Sequence, residues 1–119
     1  MADYLIICSD LFFSSKVAGT AQMLGLKCES VMSGPKAESV LKAMENPQGL
    51  VIDLTTPLLN LENLLSDLPE EVKARSIAFG PHVETEKIQQ AKDLGCGAVL
   101  PRSQFTAQLP ELLKQYLVG

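Results

Sequence analysis

The sequence predicts a three-layer α/β fold, a five-stranded parallel sheet between two layers of helices, and three observations predict it. Five short apolar runs of strand length alternate with segments whose apolar residues fall at helical spacing. The connections are short and rich in Gly and Pro, which implies right-handed βαβ units with helices on both faces of the sheet. The third run, Gly49-Leu50-Val51-Ile52-Asp53, stays apolar up to its last residue, as a strand buried on both faces does.

Tyr4-Leu5-Ile6-Ile7-Cys8 is the first strand, ending at Ser9-Asp10. Phe13, Val17, Ala21 and Leu24 then mark one face of a helix stopped by Gly25. Lys27 to Val31 is a weaker, partly alternating second strand, and Ser33-Gly34-Pro35 turns into a second helix, Ala37 to Met44, which Asn46-Pro47 ends. After the third strand, Leu61, Leu64, Leu65 and Leu68 form the stripe of a third helix closed by Pro69. Arg75 to Phe79 reads as the fourth strand, Gly80-Pro81-His82-Val83 as a loop, and Glu84 to Leu94 as the fourth helix before Gly95. Ala98-Val99-Leu100 is the fifth strand. Leu109, Leu112, Leu113 and Leu117 build a fifth helix, with Pro110 tolerated only in its first turn.

With 119 residues the chain has room for one domain, residues 1–119, and it contains no repeat, linker or low-complexity segment. A hydrophobic content of 46% with 20% charged residues is globular, and no stretch reaches the length of a membrane span. The N-terminus carries no secretory signal pattern, so a cytoplasmic protein is expected. A net charge of -4 without a Lys/Arg cluster argues against nucleic-acid binding. Three cysteines, Cys8, Cys28 and Cys96, lie far apart and lack the spacing of a disulfide framework or a zinc site. A glycine-rich dinucleotide loop and a Gly-Lys-Ser/Thr phosphate loop are both absent.

Open parallel sheets gather their functional groups outside the carboxyl ends of their strands. Ser9-Asp10, Asp53-Leu54-Thr55, Gly80-Pro81-His82 and Arg102-Ser103 are therefore expected to meet there. This order, together with Asp53-x-x-x-Pro57 after a buried strand and the segment Ala91 to Arg102, resembles the receiver domain of two-component response regulators, the stand-alone chemotaxis type in particular. The resemblance covers essentially the whole chain and implies a flavodoxin-like fold with strand order 2-1-3-4-5 and five helices.

It also implies a phosphorylation site: an acidic pair after strand one, an acceptor aspartate after strand three, a Ser/Thr after strand four and a lysine after strand five. Carboxylates hold Mg²⁺, the metal and the lysine neutralise the phosphoryl oxygens, and the hydroxyl follows the phosphoryl group as a switch. Asp53 matches the acceptor. Cys8 and Ser9 stand at the acidic pair, with Asp10 one place beyond. Gly80 stands at the switch hydroxyl, Arg102 replaces the lysine, and Ser103 replaces the proline after it. The resemblance is thus to a degenerate receiver, a pseudo-receiver.

Two readings of Asp53 stay open: a carboxylate that caps its turn or pairs with Arg102, and a phosphoacceptor whose Mg²⁺ is held by Asp10 and Asp53. No cofactor is expected under the first, and Mg²⁺ under the second. Cys8 is either a small buried residue or a phosphocarrier-like thiolate, and the lone His82 either an exposed turn residue or a base. Of Phe12 and Phe13, one enters the core while its neighbour faces a partner, or both pack inside. The expectation is a non-enzymatic signalling domain that works by protein contact. Its partner in trans is a histidine kinase or an output protein. A homodimer is the other option; the face of the fourth helix, fifth strand and fifth helix, Glu84 to Leu117, is expected to take a second copy, a docked kinase or an output protein, and neither nucleic acid nor membrane is involved.

Overall fold

In the computed structural model, which describes residues 2–118, five strands pair in parallel in the order β2-β1-β3-β4-β5. They are β1 (Tyr4–Ile7), β2 (Cys28–Val31), β3 (Gly49–Asp53), β4 (Ile77–Gly80) and β5 (Ala98–Pro101). The helices are α1 (Leu11–Met23), α2 (Gly34–Ala43), α3 (Leu61–Leu65), α4 (Glu70–Ala74), α5 (Thr85–Asp93), α6 (Arg102–Ala107) and α7 (Leu109–Leu113), and Lys114–Val118 continues α7 as a π-helical turn. Strand order and sandwich architecture match the sequence expectation. The helix count is seven among the described residues rather than five.

Proline accounts for the difference. Pro69 ends the leucine-striped segment, and its extended backbone starts α4 immediately afterwards. Pro110 has no N–H to donate to Thr106, and its ring crowds that carbonyl, so the last segment breaks at Gln108 into α6 and α7. Arg102 consequently lies in the first turn of α6, with Pro101 ending β5.

Side chains alternate across each strand, and this assigns the core to two layers. Ile6, Cys8, Val51, Ile77 and Phe79 face α1, α6 and α7, where they meet Val17, Phe105 and Leu113. Leu5, Ile7, Leu50, Ile52 and Ala78 face the other layer, against Ala37 of α2, Leu64 and Leu65 of α3 and Ala91 of α5. All five β3 residues are buried because the strand has a neighbour on each side and helices above and below. The same parity sends Cys8 and Asp53 to the α1 layer, and Leu54 and Gly80 toward the α5 layer.

The loop after β3 is fastened to α2. Gly34 N–H donates to the Pro57 carbonyl at 2.9 Å, and a Cβ on Gly34 would collide with the backbone carbonyl of Leu58. Leu58 itself has φ +58°, making it the one non-glycine residue with positive φ among those described, and it is 79% exposed. A left-handed leucine costs on the order of 1 kcal/mol, so this loop conformation is held by its contacts with α2. Replacing Gly34→Ala should therefore lower stability by about 1–3 kcal/mol. Gly19→Ala, within α1 where an added methyl meets nothing, should raise it by about 0.5–1 kcal/mol. Urea unfolding of the two variants checks both signs.

Candidate functional site

Asp53 ends the central strand with only 2% of its surface exposed. Its carboxylate is engaged on both oxygens. Oδ1 accepts from Thr55 N–H at 2.9 Å and from the Thr55 hydroxyl at 2.7 Å, the local Asx-type turn that aspartate favours at a strand end. Oδ2 faces the Cys8 thiol, 3.4 Å away. Thr56 closes the turn from the other side, its hydroxyl donating to the Asp53 carbonyl at 2.7 Å and its N–H to the same oxygen at 3.0 Å.

Cys8 is 1% exposed, and its single S–H proton is shared between Asp53 Oδ2 and the Asp10 carbonyl at 3.6 Å. Burial pushes this thiol up to about 11, opposed in part by hydrogen bonding with the Asp10 backbone, and the nearby Asp53 carboxylate pushes the same way as burial. Thiolate chemistry near neutral pH is disfavoured by such a shift. Burial likewise raises Cys28 and Cys96 to about 11.

Arg102 bonds to Asp10 rather than to Asp53. Its Nη2 lies 2.8 Å from Asp10 Oδ2, with both side chains about two-fifths exposed. Asp10 is also the N-cap of α1, its Oδ1 accepting from Phe13 N–H at 3.1 Å. The guanidinium sits 4.3 Å from the centre of the Phe13 ring. Below it, Phe13 meets Phe79 and Phe105 edge-on at 5.2 and 5.8 Å, and those two rings stack at 4.3 Å. Pairs of this kind contribute about 0.5–1.5 kcal/mol each beyond their area burial. Arg102 and Asp10 thus join the starts of α6 and α1 over an aromatic floor.

Gly80, at the end of β4, has Leu54 against it: a Cβ there would lie 3.2 Å from Leu54 Cβ. The leucine takes the space beside the glycine, and a larger residue at 80 needs it to shift. Ser9 is half-buried and His82 exposed. The two phenylalanines divide as the first of their two readings has it, Phe13 at 8% and Phe12 at 90% exposure.

These residues make a poor cradle for Mg²⁺. The ion prefers near-octahedral oxygen ligation, whereas a protonated thiol faces Asp53 and the Asp10 carboxylate is turned to Arg102. Among the described residues no group of three His, Cys, Asp or Glu side chains is placed to hold a metal ion. The edge brings together Cys8, Asp10, Asp53, Thr55 and Arg102. Two participants escape the sequence reading of the site, Phe13 under the guanidinium and Thr56 in the turn, and Leu54, placed at this edge by the sequence, has an unforeseen contact with Gly80. Strand parity is the signal that would have found this contact, since Leu54 continues the Leu50–Ile52 face onto that of Ala78 and Gly80.

The architecture is that of the flavodoxin-like class, with a five-stranded parallel sheet, helices on both faces and a carboxylate at the end of the middle strand. Within that class the fold is the one found in receiver domains of response regulators. The chain is similar to the phosphorylated cyanobacterial phytochrome response regulator RcpA, with a TM-score of 0.77 and 13% identity over 98% of this chain and 95% of that one. It is similar to a signal receiver domain from Bermanella marisrubri, with a TM-score of 0.77 and 17% identity over 98% and 99%. A receiver domain from Rhodospirillum rubrum gives 0.75 and 16% over 98% and 94%. Comparison with protein-family models and with curated proteins returns no match. At this level of identity the likeness shows the fold.

The Arg102 guanidinium, followed by the Phe13 N–H, holds the Asp10 carboxyl below its ordinary value of 3.8. A carboxyl depressed by folding stabilises the protein at pH above its unfolded value and ceases to do so as pH falls through its folded value. Asp10→Asn keeps the cap but loses the charge. Its stability deficit should be full near neutral pH and should shrink in acid once pH drops below the ordinary carboxyl range, as thermal melts at a series of pH values would reveal.

Proposed function

We propose that this chain is a receiver-like signalling domain that acts by protein contact, with Asp53 serving the fold of the site rather than phosphoryl transfer. One observation carries the reading: the buried Asp53 carboxylate is engaged on one oxygen by Thr55 and on the other by Cys8, while Arg102 is committed to Asp10. An acceptor carboxylate has to present an oxygen to the phosphoryl donor, and a switch needs a hydroxyl that follows the charge. Here the oxygens are occupied, and Gly80 supplies no hydroxyl. The competing reading, a phosphorelay receiver that uses Mg²⁺ at Asp10 and Asp53, requires Asp10 to leave Arg102 first.

The partner is a signalling protein in trans, a histidine kinase or an output protein, and the setting is cytoplasmic. Among the described residues no helix is long and apolar enough to cross a membrane. A group of exposed apolar side chains favours the carboxyl edge as the contact surface, while Met23 and Val118 are exposed elsewhere. Leu11, Phe12, Leu58 and Val83 all lie in or beside the segments that leave β1, β3 and β4, which are neighbours in the sheet, and all are at least 64% exposed. Between Glu84 and Leu117, the surface expected from the sequence for a second copy or a docked partner, no large apolar side chain is among the strongly exposed ones described.

Incubation with acetyl phosphate and Mg²⁺, followed by intact mass measurement, should leave the protein unmodified; a phosphoryl adduct that disappears in Asp53→Asn would establish the relay reading instead. Phe12→Ser should change stability by less than about 0.5 kcal/mol, as an exposed position does. It should still weaken association with a signalling partner or a second copy, measured by sedimentation, more than Gln89→Arg on α5 does. The reverse order would place the contact on the α5 surface.

A further inference from the structure

β2 ends the sheet, paired on one side with β1 and open on the other. The carbonyls of Lys27, just before the strand, and of Val31 accept from Tyr4 N–H at 3.1 Å and Cys8 N–H at 3.0 Å. By alternation, the N–H and C=O groups of Cys28 and Ser30 point away from the sheet. On the α1 face a cleft of about 400 Å³, lined by Ala18 and Gln22 of the helix and by Leu26, Lys27 and Cys28, keeps α1 off this edge. On the other face Lys27 and Glu29 alternate with Cys28, and both are exposed. An unpaired strand edge is a template for another strand, and proteins commonly guard it with charge. Here the guards have opposite sign and stand two residues apart, and neither has an ion pair among the described residues.

That spacing makes the edge complementary to itself in one register. Two copies joined edge to edge about a two-fold axis run antiparallel, and facing residues lie on the same face of the joined sheet. The register is then set by the residue that faces its own copy. Centring on Lys27 or on Glu29 sets like charges against each other, and centring on Ser30 sets Glu29 against the partner's Val31. Centring on Cys28 sets Lys27 against the partner's Glu29, and Glu29 against the partner's Lys27. Opposite charges facing across two strands attract, and like charges repel. In this register Cys28 exchanges both backbone bonds with its copy, and Ser30 N–H reaches the partner's Leu26 carbonyl.

We propose that a second copy of this chain pairs with β2 in this register, joining two five-stranded sheets into one. Two short strands bury little surface, so the association is weak and depends on concentration. The antiparallel join directs the two carboxyl edges to opposite ends of the pair, which leaves each free for another partner. The contact uses no residue of that edge and is independent of the role of Asp53.

Sedimentation equilibrium of the full chain over a concentration series tests the pairing, and amide hydrogen exchange at low and high concentration locates it. A monomer–dimer equilibrium is expected. Exchange should slow at Cys28 and Ser30 as the dimer forms, and not at Glu29, whose N–H points to β1. Glu29→Lys sets lysine against lysine in both facing pairs and should weaken the dimer at least about tenfold, a difference of about 1.4 kcal/mol. Combining it with Lys27→Glu exchanges the two charges and should return the affinity to within about threefold of the original. Both side chains are exposed, so neither change disturbs the fold, and the amide spectrum of each variant verifies that. Protection elsewhere than Cys28 and Ser30, a dimer indifferent to Glu29→Lys, or a charge exchange that fails to restore it would each overturn the proposal. A strict monomer would do the same, returning the edge to solvent or to an extended segment of another protein.

Discussion

A carboxylate at the end of a strand buried on both faces has to find hydrogen-bond donors inside the protein, and much of the carboxyl edge is arranged around that requirement. Leaving such a group unsatisfied costs several kcal/mol. Asp53 meets the demand from its own chain segment, with the N–H and hydroxyl of Thr55 on one oxygen, and from the residue that follows β1, with the Cys8 thiol on the other. The thiol is a weak donor, but it is small enough to fit between two parallel strands. Because both oxygens are served from nearby, Asp53 makes no demand on Arg102.

That release determines the rest of the edge. Arg102 reaches across to Asp10, so a cation that would neutralise negative charge at Asp53 neutralises it instead at the N-cap of α1. The pair is half exposed, and ion pairs at such depth contribute modestly to stability. Geometry is its stronger effect. Asp10 also caps α1 and Arg102 also covers Phe13, so the two starts, of α1 and of α6, are fixed relative to the Phe13–Phe79–Phe105 cluster below them. Phe12 follows from this directly: with Phe13 held in the core, the preceding side chain on the helix points outward.

The strands were legible in the sequence because apolar runs bounded by Gly and Pro mean much the same thing in any context, and the address of Asp53 came with them. Helix ends and side-chain partners were less so. The fourth strand begins two residues later than its apolar run suggests. Arg75 belongs to the turn after α4, and the fully buried Ser76 uses its hydroxyl to accept from Leu50 N–H and donate to the Val72 carbonyl. The run of leucines after Asn60 spans α3 and a turn, since Leu68 N–H bonds to the Leu65 carbonyl just ahead of Pro69. The sequence reading offered Asp53 as the partner of Arg102, whereas Arg102 bonds to Asp10. The choice between them is three-dimensional, resting on which carboxylate already has donors.

The contacts of Cys8, Asp10, Gly80 and Arg102 around Asp53 are physically coupled. A carboxylate in place of Cys8 would face Asp53 Oδ2 from where the thiol now lies at 3.4 Å, and like charges so close both resist ionisation unless a cation joins them. The nearest candidate cation, Arg102, is engaged with Asp10. A hydroxyl-bearing residue at Gly80 would meet Leu54 Cβ at 3.2 Å, and Leu54 cannot retreat without disturbing the α5 layer, where it is fully buried. The contacts are therefore linked: the thiol serves Asp53, Arg102 is left to hold Asp10, and the glycine leaves room for Leu54. Changing one of these residues alone would therefore create a local conflict with its neighbours, because they share one set of contacts around Asp53.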